Sequence, residues 1–407
     1  ASGVLLAQEP ADTNYDEEKV PRYTLPSLLS GEADARTAGE RAMLWQDGRR
    51  AEVKSLLEQH VYGRTPVAPV LVRAELLESS DDALGGIAVR RQVRLTVSPS
   101  PGAEGLDPHR SIQIDVLIYA PKKFGDSDLG GPAFMGLNFY GNQTVNPDPA
   151  IRISQGWMRP NSAIGIEKNR ATEKTRGVYQ DRWQAEELVR RGYGLVTAYC
   201  GDIDPDNYQH DFSDGVHPLF YREGQTQPAA DEWGAIGAWA WGLSTIRGWL
   251  ETQTGGDALV DAKRVAVIGH SRLGKTALWA GACDQNFAMV ISNNSGCGGA
   301  ALYRRCYGER IHHMLKPVGY WFSRNHAQYA RRESELPVDQ HMLLALVAPR
   351  PLYVASAEED RWADPRGEFL AARHASPVYE WLGERGLPSD EMPGVDEPIA
   401  GRIGYHV

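Results

Sequence analysis

The sequence predicts an α/β fold in which one mostly parallel sheet is covered on both faces by helices. Short apolar runs rich in β-branched residues alternate with segments of helical periodicity along the 407 residues. Residues 265–268 form such a run and lead directly into a helical segment, as a buried parallel strand does. With 42% hydrophobic and 24% charged residues, the composition is that of an ordinary globular protein.

Two regions are expected, an N-terminal arm over residues 1–36 and a single catalytic domain over residues 37–407. The arm is polar and contains prolines. Residues 1–8 have the small-residue pattern of the end of a secretion signal, which predicts a secreted or periplasmic protein. The four cysteines lack the C-x-x-C spacing of zinc or thioredoxin-like sites.

The domain begins with helical periodicity and continues as alternating strands and helices. In chain order the prediction is helix 37–59, strands 70–77, 88–97, 112–119 and 133–139, helix 186–191, strand 194–198, helix 235–250, strands 265–268, 289–292 and 352–355, and late helical segments 368–374 and 377–382. The irregular stretches 143–182 and 201–230 are too long for simple connections. We expect them to wall a binding cleft.

The bulk properties exclude several classes of partner. A net charge of −10 argues against nucleic acid, because phosphate binding needs a basic face. No apolar run approaches the length of a membrane span. We also expect a monomer without cofactor or metal.

Ser271 lies at the tip of a sharp turn between a predicted strand and a predicted helix. Gly269 and Gly274 bracket it, where a side chain would collide in a tight turn. This setting presents a serine hydroxyl as a nucleophile, although the second glycine stands one position later than in G-x-S-x-G. The alternative is a glycine-rich turn with a bystander serine.

A nucleophilic serine needs an acid and a base from later strand ends. Asp360 follows the strand at 352–355 and is the first choice of acid, before Asp364 and Glu359. Only two histidines lie further along the chain. His374 falls in a predicted helix, where a surface or packing role is expected, and His406 is next to the last residue and would be poorly held.

Several motifs together resemble one enzyme family. They are Gly-His-Ser-Arg-Leu-Gly-Lys at 269–275, Ser-Gly-Cys-Gly-Gly at 295–299, Ala-Pro-Arg-Pro at 348–351, the loop 360–365, and the segments 62–66 and 201–206. This set resembles the bacterial branch of the glucuronoyl esterases, carbohydrate esterase family 15, over about residues 40–407. The resemblance implies an α/β-hydrolase fold with long inserted loops over the active site.

The resemblance also implies an activity. Members are serine esterases that cleave the ester between 4-O-methyl-glucuronic acid on xylan and a lignin alcohol. Ser271 matches the nucleophile, and Arg272 would place its guanidinium toward the developing oxyanion. The positions that match sugar-contacting residues of the family are Lys275, Glu309 and Trp362.

The sequence departs from the family in two respects. Asn294 stands where many members carry Glu and cannot ionise, which assigns the acid role to Asp360. The resemblance places the catalytic histidine a few residues beyond Val407, and His406 is the alternative. We expect the second oxyanion donor in the loop 139–143.

Two other functions remain open from the sequence. One is an acetyl-xylan or other carbohydrate esterase with the same triad. The other is a hydrolase-like scaffold that binds carbohydrate but is catalytically impaired, since a fold alone does not secure function.

Overall fold

The computed structural model describes residues 10–29, 37–122, 130–209, 211–255 and 258–407. The expected end of a secretion signal, residues 1–8, lies outside them. None of the described helices is both long and apolar enough to cross a bilayer.

The strands, in chain order, are β1 Val70–Asp82, β2 Ala88–Pro99, β3 Ile112–Pro121, β4 Gly131–Asn138, β5 Ile166–Glu167, β6 Arg170–Ala171, β7 Gly194–Tyr199, β8 Val260–His270, β9 Met289–Asn293, β10 Leu352–Ala355 and β11 Ile403–His406. The α-helices are α1 Ala38–Met43, α2 Arg50–Leu57, α3 Ala83–Gly86, α4 Gln180–Trp183, α5 Ala185–Arg190, α6 Cys200–Ile203, α7 Ala235–Glu251, α8 Arg272–Cys283, α9 Ile311–Val318, α10 Gln340–Ala345 and α11 Pro365–Trp381.

Nine of the described strands form one sheet in the order β1-β2-β3-β7-β4-β8-β9-β10-β11. The first three strands are antiparallel to their neighbours, and every pair from β7 to β11 is parallel. The carboxyl ends of β8, β9 and β10 therefore meet at one edge of the sheet, which is where ligands bind in open α/β folds. The predicted mostly parallel α/β fold is confirmed.

Helices α7 and α8 form the main layer against the sheet. Small residues and tryptophans alternate along α7, and Trp239 is fully buried, with its indole N–H donated to the Asp204 carbonyl at 2.8 Å. Tyr62, at the end of the N-terminal helical run, stacks on Trp279 of α8 with ring centroids 4.4 Å apart. This contact fixes the first helical segment on the back of the helix that follows Ser271.

The observed elements differ from the predicted ones mainly in extent. The strand predicted at 265–268 spans 260–270, because its polar ends continue the hydrogen-bonded ladder. The helical segments predicted at 368–374 and 377–382 are parts of one helix, α11, which contains Pro377. Sequence periodicity missed β11, because four residues are too few to show alternation.

Candidate active site

Ser271 adopts a strained conformation between β8 and α8, with φ 56° and ψ −130°. The turn closes tightly, since a side chain on Gly269 would come within 1.9 Å of the Leu273 carbonyl oxygen. The Ser271 N–H donates to the Asn293 carbonyl at 2.9 Å. A β-branched or bulky residue would not persist at this φ, and strain held by the surroundings is typical of a functional turn. The conformation favours the nucleophile over the bystander interpretation.

Asp360 lies in the loop after β10, next to the loop after β9. Its Oδ2 accepts a hydrogen bond from Asn294 Nδ2 at 2.8 Å. The Asn294 backbone is left-handed, with φ 43°, a conformation that asparagine tolerates better than most residues. The amide thus orients the carboxylate without adding a second negative charge.

The other two candidate acids have different surroundings. Asp364 is buried, pairs with Arg305 at 2.8 Å and accepts the Gly367 N–H at the start of α11. Burial raises the pKa of Asp364, although Arg305 opposes this effect. Glu359 is exposed to solvent. Asp364 therefore has a structural role, and Asp360 is the carboxylate best placed as the acid.

The two late histidines contact residues other than Ser271 and Asp360. His406 ends β11, and its Nδ1 lies 3.0 Å from the Tyr353 hydroxyl. His374 is exposed on α11, as expected for a surface residue, with its ring 6.4 Å from that of His341. Among the described residues, no side chain forms a hydrogen bond with the Ser271 hydroxyl.

Arg272 begins α8 and enters a buried ion-pair network. Its Nε lies 2.7 Å from Asp206 Oδ2, and its guanidinium carbon lies 4.4 Å from the centre of the Phe139 ring. Burial alone would raise the pKa of Asp206, but Arg272 and Arg159 hold it below its usual value. The carboxylate is therefore ionised at neutral pH.

The three residues expected to contact the sugar lie close together in the structure. Lys275 is almost fully buried, donates from Nζ to the Ser295 carbonyl at 2.5 Å and lies 3.3 Å from Glu309 Oε2. The Glu309 N–H donates to the Trp362 carbonyl at 2.9 Å. Lys275, Glu309 and Trp362 are thus joined directly, although they come from three separate segments.

The loop 139–143 is more fully occupied than the sequence suggested. The Gly141 N–H already donates to Asn138 Oδ1 at 2.7 Å, and Gln143 Nε2 donates to the Tyr140 carbonyl at 2.8 Å. Phe139 lies beneath Arg272. The contribution of this loop seen in the structure is to support the arginine.

The N-terminal arm contacts the segments that carry Glu309 and Trp362. The Gly308 N–H donates to the Asn14 carbonyl at 2.9 Å. The Arg361 guanidinium lies over the ring of Tyr15, 5.0 Å from its centre. His313 stacks on Trp362, with ring centroids 5.4 Å apart. Sequence analysis missed these contacts because they join residues far apart in the chain.

Asp12, His312 and His313 lie close enough together to hold a metal ion. His313 Nδ1, however, accepts the Arg310 N–H at 3.1 Å, and burial lowers the pKa of His313, so its proton is on Nε2. That N–H faces Asp12 Oδ1 at 3.3 Å, and Arg331 binds the same carboxylate. These contacts fasten the arm to the segment that carries His312 and His313.

Comparisons with known proteins agree on the family. The family model described as "Glucuronyl esterase, fungi" matches residues 218–383. The chain is 44% identical over 403 residues to a carbohydrate esterase from an unknown prokaryotic organism, covering 98% of this chain and 88% of that protein. It is 35% identical over 391 residues to the 4-O-methyl-glucuronoyl methylesterase of Cerrena unicolor, covering 65% of that protein.

The chain belongs to carbohydrate esterase family 15, the glucuronoyl esterases.

Solved structures of this family share the fold. A promiscuous family 15 esterase from a marine bacterial metagenome matches with a TM-score of 0.84 and 44% identity, covering 97% of this chain and 94% of that chain. The glucuronoyl esterase of Solibacter usitatus matches with a TM-score of 0.83 and 41% identity, over 96% and 93% of the two chains. This glucuronoyl esterase thus has the expected α/β-hydrolase fold and is a carboxylic ester hydrolase.

Proposed function

We propose that this esterase hydrolyses the ester between (4-O-methyl-)glucuronic acid on xylan and a lignin alcohol through an acyl-enzyme on Ser271. The observation that supports this most directly is the group of Lys275, Glu309 and Trp362, whose lysine lies one helical turn along α8 from the strained Ser271. A lysine–glutamate pair donates to and accepts from sugar hydroxyls, and an indole covers the apolar face of a sugar ring.

In the proposed mechanism, the Ser271 hydroxyl attacks the ester carbonyl and gives its proton to a histidine base. Asp360, held by Asn294, orients that base and stabilises its charged form. Arg272 donates to the oxyanion that forms, a charge-assisted bond that strengthens as negative charge develops. Water then cleaves the acyl-enzyme, and the uronic acid is released.

We also propose that the protein acts outside the cytoplasm, where its polymeric substrate is found. The small-residue pattern of residues 1–8 supports this proposal. The arm and the residues 37–407 are proposed to work as one catalytic unit, because the arm contacts the segments of Glu309 and Trp362.

The test is a comparison of two ester classes. The enzyme is assayed on benzyl glucuronate and on acetylated xylo-oligosaccharides, with Ser271→Ala as the inactive control. We expect turnover of the glucuronate ester, and its loss in Ser271→Ala with an unchanged melting temperature. Exclusive turnover of acetate esters would identify the second class of esterase, and an active Ser271→Ala would remove the serine from the mechanism.

A further inference from the structure

Asp206 lies in the segment 201–206, which the sequence analysis noted without assigning it a role. Its side chain is 4% exposed. One oxygen, Oδ2, lies 2.7 Å from Arg272 Nε. No step of the mechanism above uses this carboxylate, although it is the charged group paired with the arginine beside the nucleophile.

The other oxygen of Asp206 is held by three donors, so the carboxylate cannot rotate freely. Oδ1 accepts from Arg159 Nη2 at 2.6 Å, from the Tyr320 hydroxyl at 2.5 Å and from Trp321 Nε1 at 2.9 Å. Arg159 Nε also donates to the Asp206 backbone carbonyl at 2.9 Å. With Oδ1 fixed in this way, Oδ2 is directed toward Arg272.

Arg272 is confined from two sides. Asp206 Oδ2 forms an ion pair with its Nε by proximity, without an aligned hydrogen bond, and the aromatic face of Phe139 lies against its guanidinium group. The two terminal nitrogens are the donors that this arrangement leaves for a ligand next to Ser271. A guanidinium held in one orientation before the reaction needs little reorganisation when the oxyanion forms.

The charges of the cluster leave a surplus of one positive charge. Asp206 carries one negative charge, while Arg159 and Arg272 carry one positive charge each. If Asp206 faced Arg272 alone, the pair would be neutral and its attraction for an oxyanion would be weak. Arg159 offsets the carboxylate, so the positive charge of Arg272 remains available.

We propose that Asp206 is a positioning residue of this esterase, which fixes the Arg272 guanidinium beside Ser271 while Arg159 offsets its charge. This inference rests on the proposed role of Arg272 in the oxyanion site. It assigns Asp206 an effect on the chemical step and not on substrate binding.

The test is a double-mutant cycle on benzyl glucuronate with Asp206→Asn, Arg272→Ala and the double variant. We expect Asp206→Asn to lower kcat by about 100-fold, as for loss of one oxyanion donor, with KM changed less than about threefold. In the Arg272→Ala background, Asp206→Asn should lower kcat by less than about threefold, because the residue it positions is gone.

The matched control is Asp339→Asn, which removes another fully buried carboxylate paired with an arginine, Arg304, at 3.1 Å. It should lower the melting temperature without a selective loss of kcat. Where Asp206→Asn does not fold, Tyr320→Phe decides, since it removes one donor to Oδ1 and keeps the charge. A lower kcat with unchanged KM supports the proposal, and an unchanged kcat overturns it.

The outcomes distinguish the proposed role of Arg272 from the positioning role of Asp206. A wild-type kcat in Arg272→Ala contradicts the proposed role of Arg272, and the inference falls with it. A large loss in Arg272→Ala together with a wild-type kcat in Asp206→Asn overturns the inference alone. Equal losses from Asp206→Asn in both backgrounds also overturn it, because the carboxylate would then act without Arg272.

Discussion

Asn294 and Asp360 illustrate how a single amide can orient a carboxylate. The Asn294 Nδ2 group donates to Asp360 Oδ2, and its left-handed backbone places the amide between the loops after β9 and β10. A glutamate there would put two carboxylates side by side, and like charges at that distance disfavour ionisation of both. Asparagine orients the Asp360 carboxylate without adding a second negative charge.

The contrast between Asp360 and Asp364 gives a prediction at this scale. Asp360→Asn should lower kcat strongly with little change in stability, because the side chain is only partly buried. Asp364→Asn should instead lower the free energy of unfolding by about 3 kcal/mol, since it removes the buried partner of Arg305 and leaves this arginine the partly exposed Glu17. Steady-state kinetics and chemical denaturation of both variants are the measurements. A strong loss of kcat in Asp364→Asn, with a stability loss in Asp360→Asn, would instead assign the acid role to Asp364.

The strain at Ser271 gives a second prediction. At φ 56° and ψ −130° a side chain is disfavoured, whereas glycine adopts such a conformation readily. Ser271→Gly should therefore raise the free energy of unfolding by about 1 kcal/mol relative to Ser271→Ala, with both variants inactive. Chemical denaturation measures the difference. Equal stability of the two variants would show that the turn is relaxed.

At the scale of elements, the N-terminal arm is the least expected part of the site. Asp12 binds His312, His313 and Arg331, and His313 in turn stacks on Trp362. The arm is thus linked through the His313 ring to Trp362, one of the proposed sugar contacts. The described part of the arm therefore lies against the segments that carry the proposed sugar contacts.

Loosening the arm should weaken substrate binding more than the chemical step. Asp12→Asn removes the charge that holds both histidine rings, so we expect KM for benzyl glucuronate to rise by about threefold or more at constant kcat. Lys19→Ala is the control, because Lys19 is exposed and pairs only with Asp16 on the arm itself. If the KM of Asp12→Asn equals that of Lys19→Ala, the arm has no role in substrate binding.

How far the sequence predicts this site depends on how far apart the partners lie in the chain. Ser271, Arg272 and Lys275 form one contiguous motif, and Asp360 follows a recognisable strand, so these residues could be named in advance. The role of Asp206 and the contacts of the N-terminal arm could not be named in advance. Their partners are brought together only by folding, and no periodicity or spacing signals an ion pair between distant loops.

On the scale of the whole molecule, Glu368 of α11 connects the loop after β9 to the loop after β10. It lies on α11 and is fully buried, and it accepts the N–H groups of Ser295 at 2.8 Å and Gly296 at 2.9 Å and the Ser356 hydroxyl at 2.6 Å. Ser295 and Gly296 follow β9, and Ser356 follows β10. Burial raises the pKa of Glu368 from 4.5 to about 7, against the effect of these donors.

This buried carboxyl predicts a pH-dependent stability. Because its folded-state pKa of about 7 exceeds the reference value of 4.5, its stabilising contribution is complete below pH 4.5 and is lost as the pH rises through 7. The free energy of unfolding should fall over this interval by up to about 3 kcal/mol relative to Glu368→Gln. Denaturation at pH 4.5, 6 and 8 measures it. Parallel curves for the two proteins would contradict the prediction.

The backbone hydrogen bond from Glu309 to Trp362 restricts how this part of the site can change between related enzymes. Gly308 makes it possible, with φ 59° and a Cα so close to the Trp362 carbonyl that a side chain would approach within 2.5 Å. The segments of Glu309 and Trp362 therefore have to be matched to each other. Exchanging one of them without the other between related enzymes would break this backbone hydrogen bond. Transplanting the proposed sugar contacts into a different esterase therefore requires both loops and this glycine together.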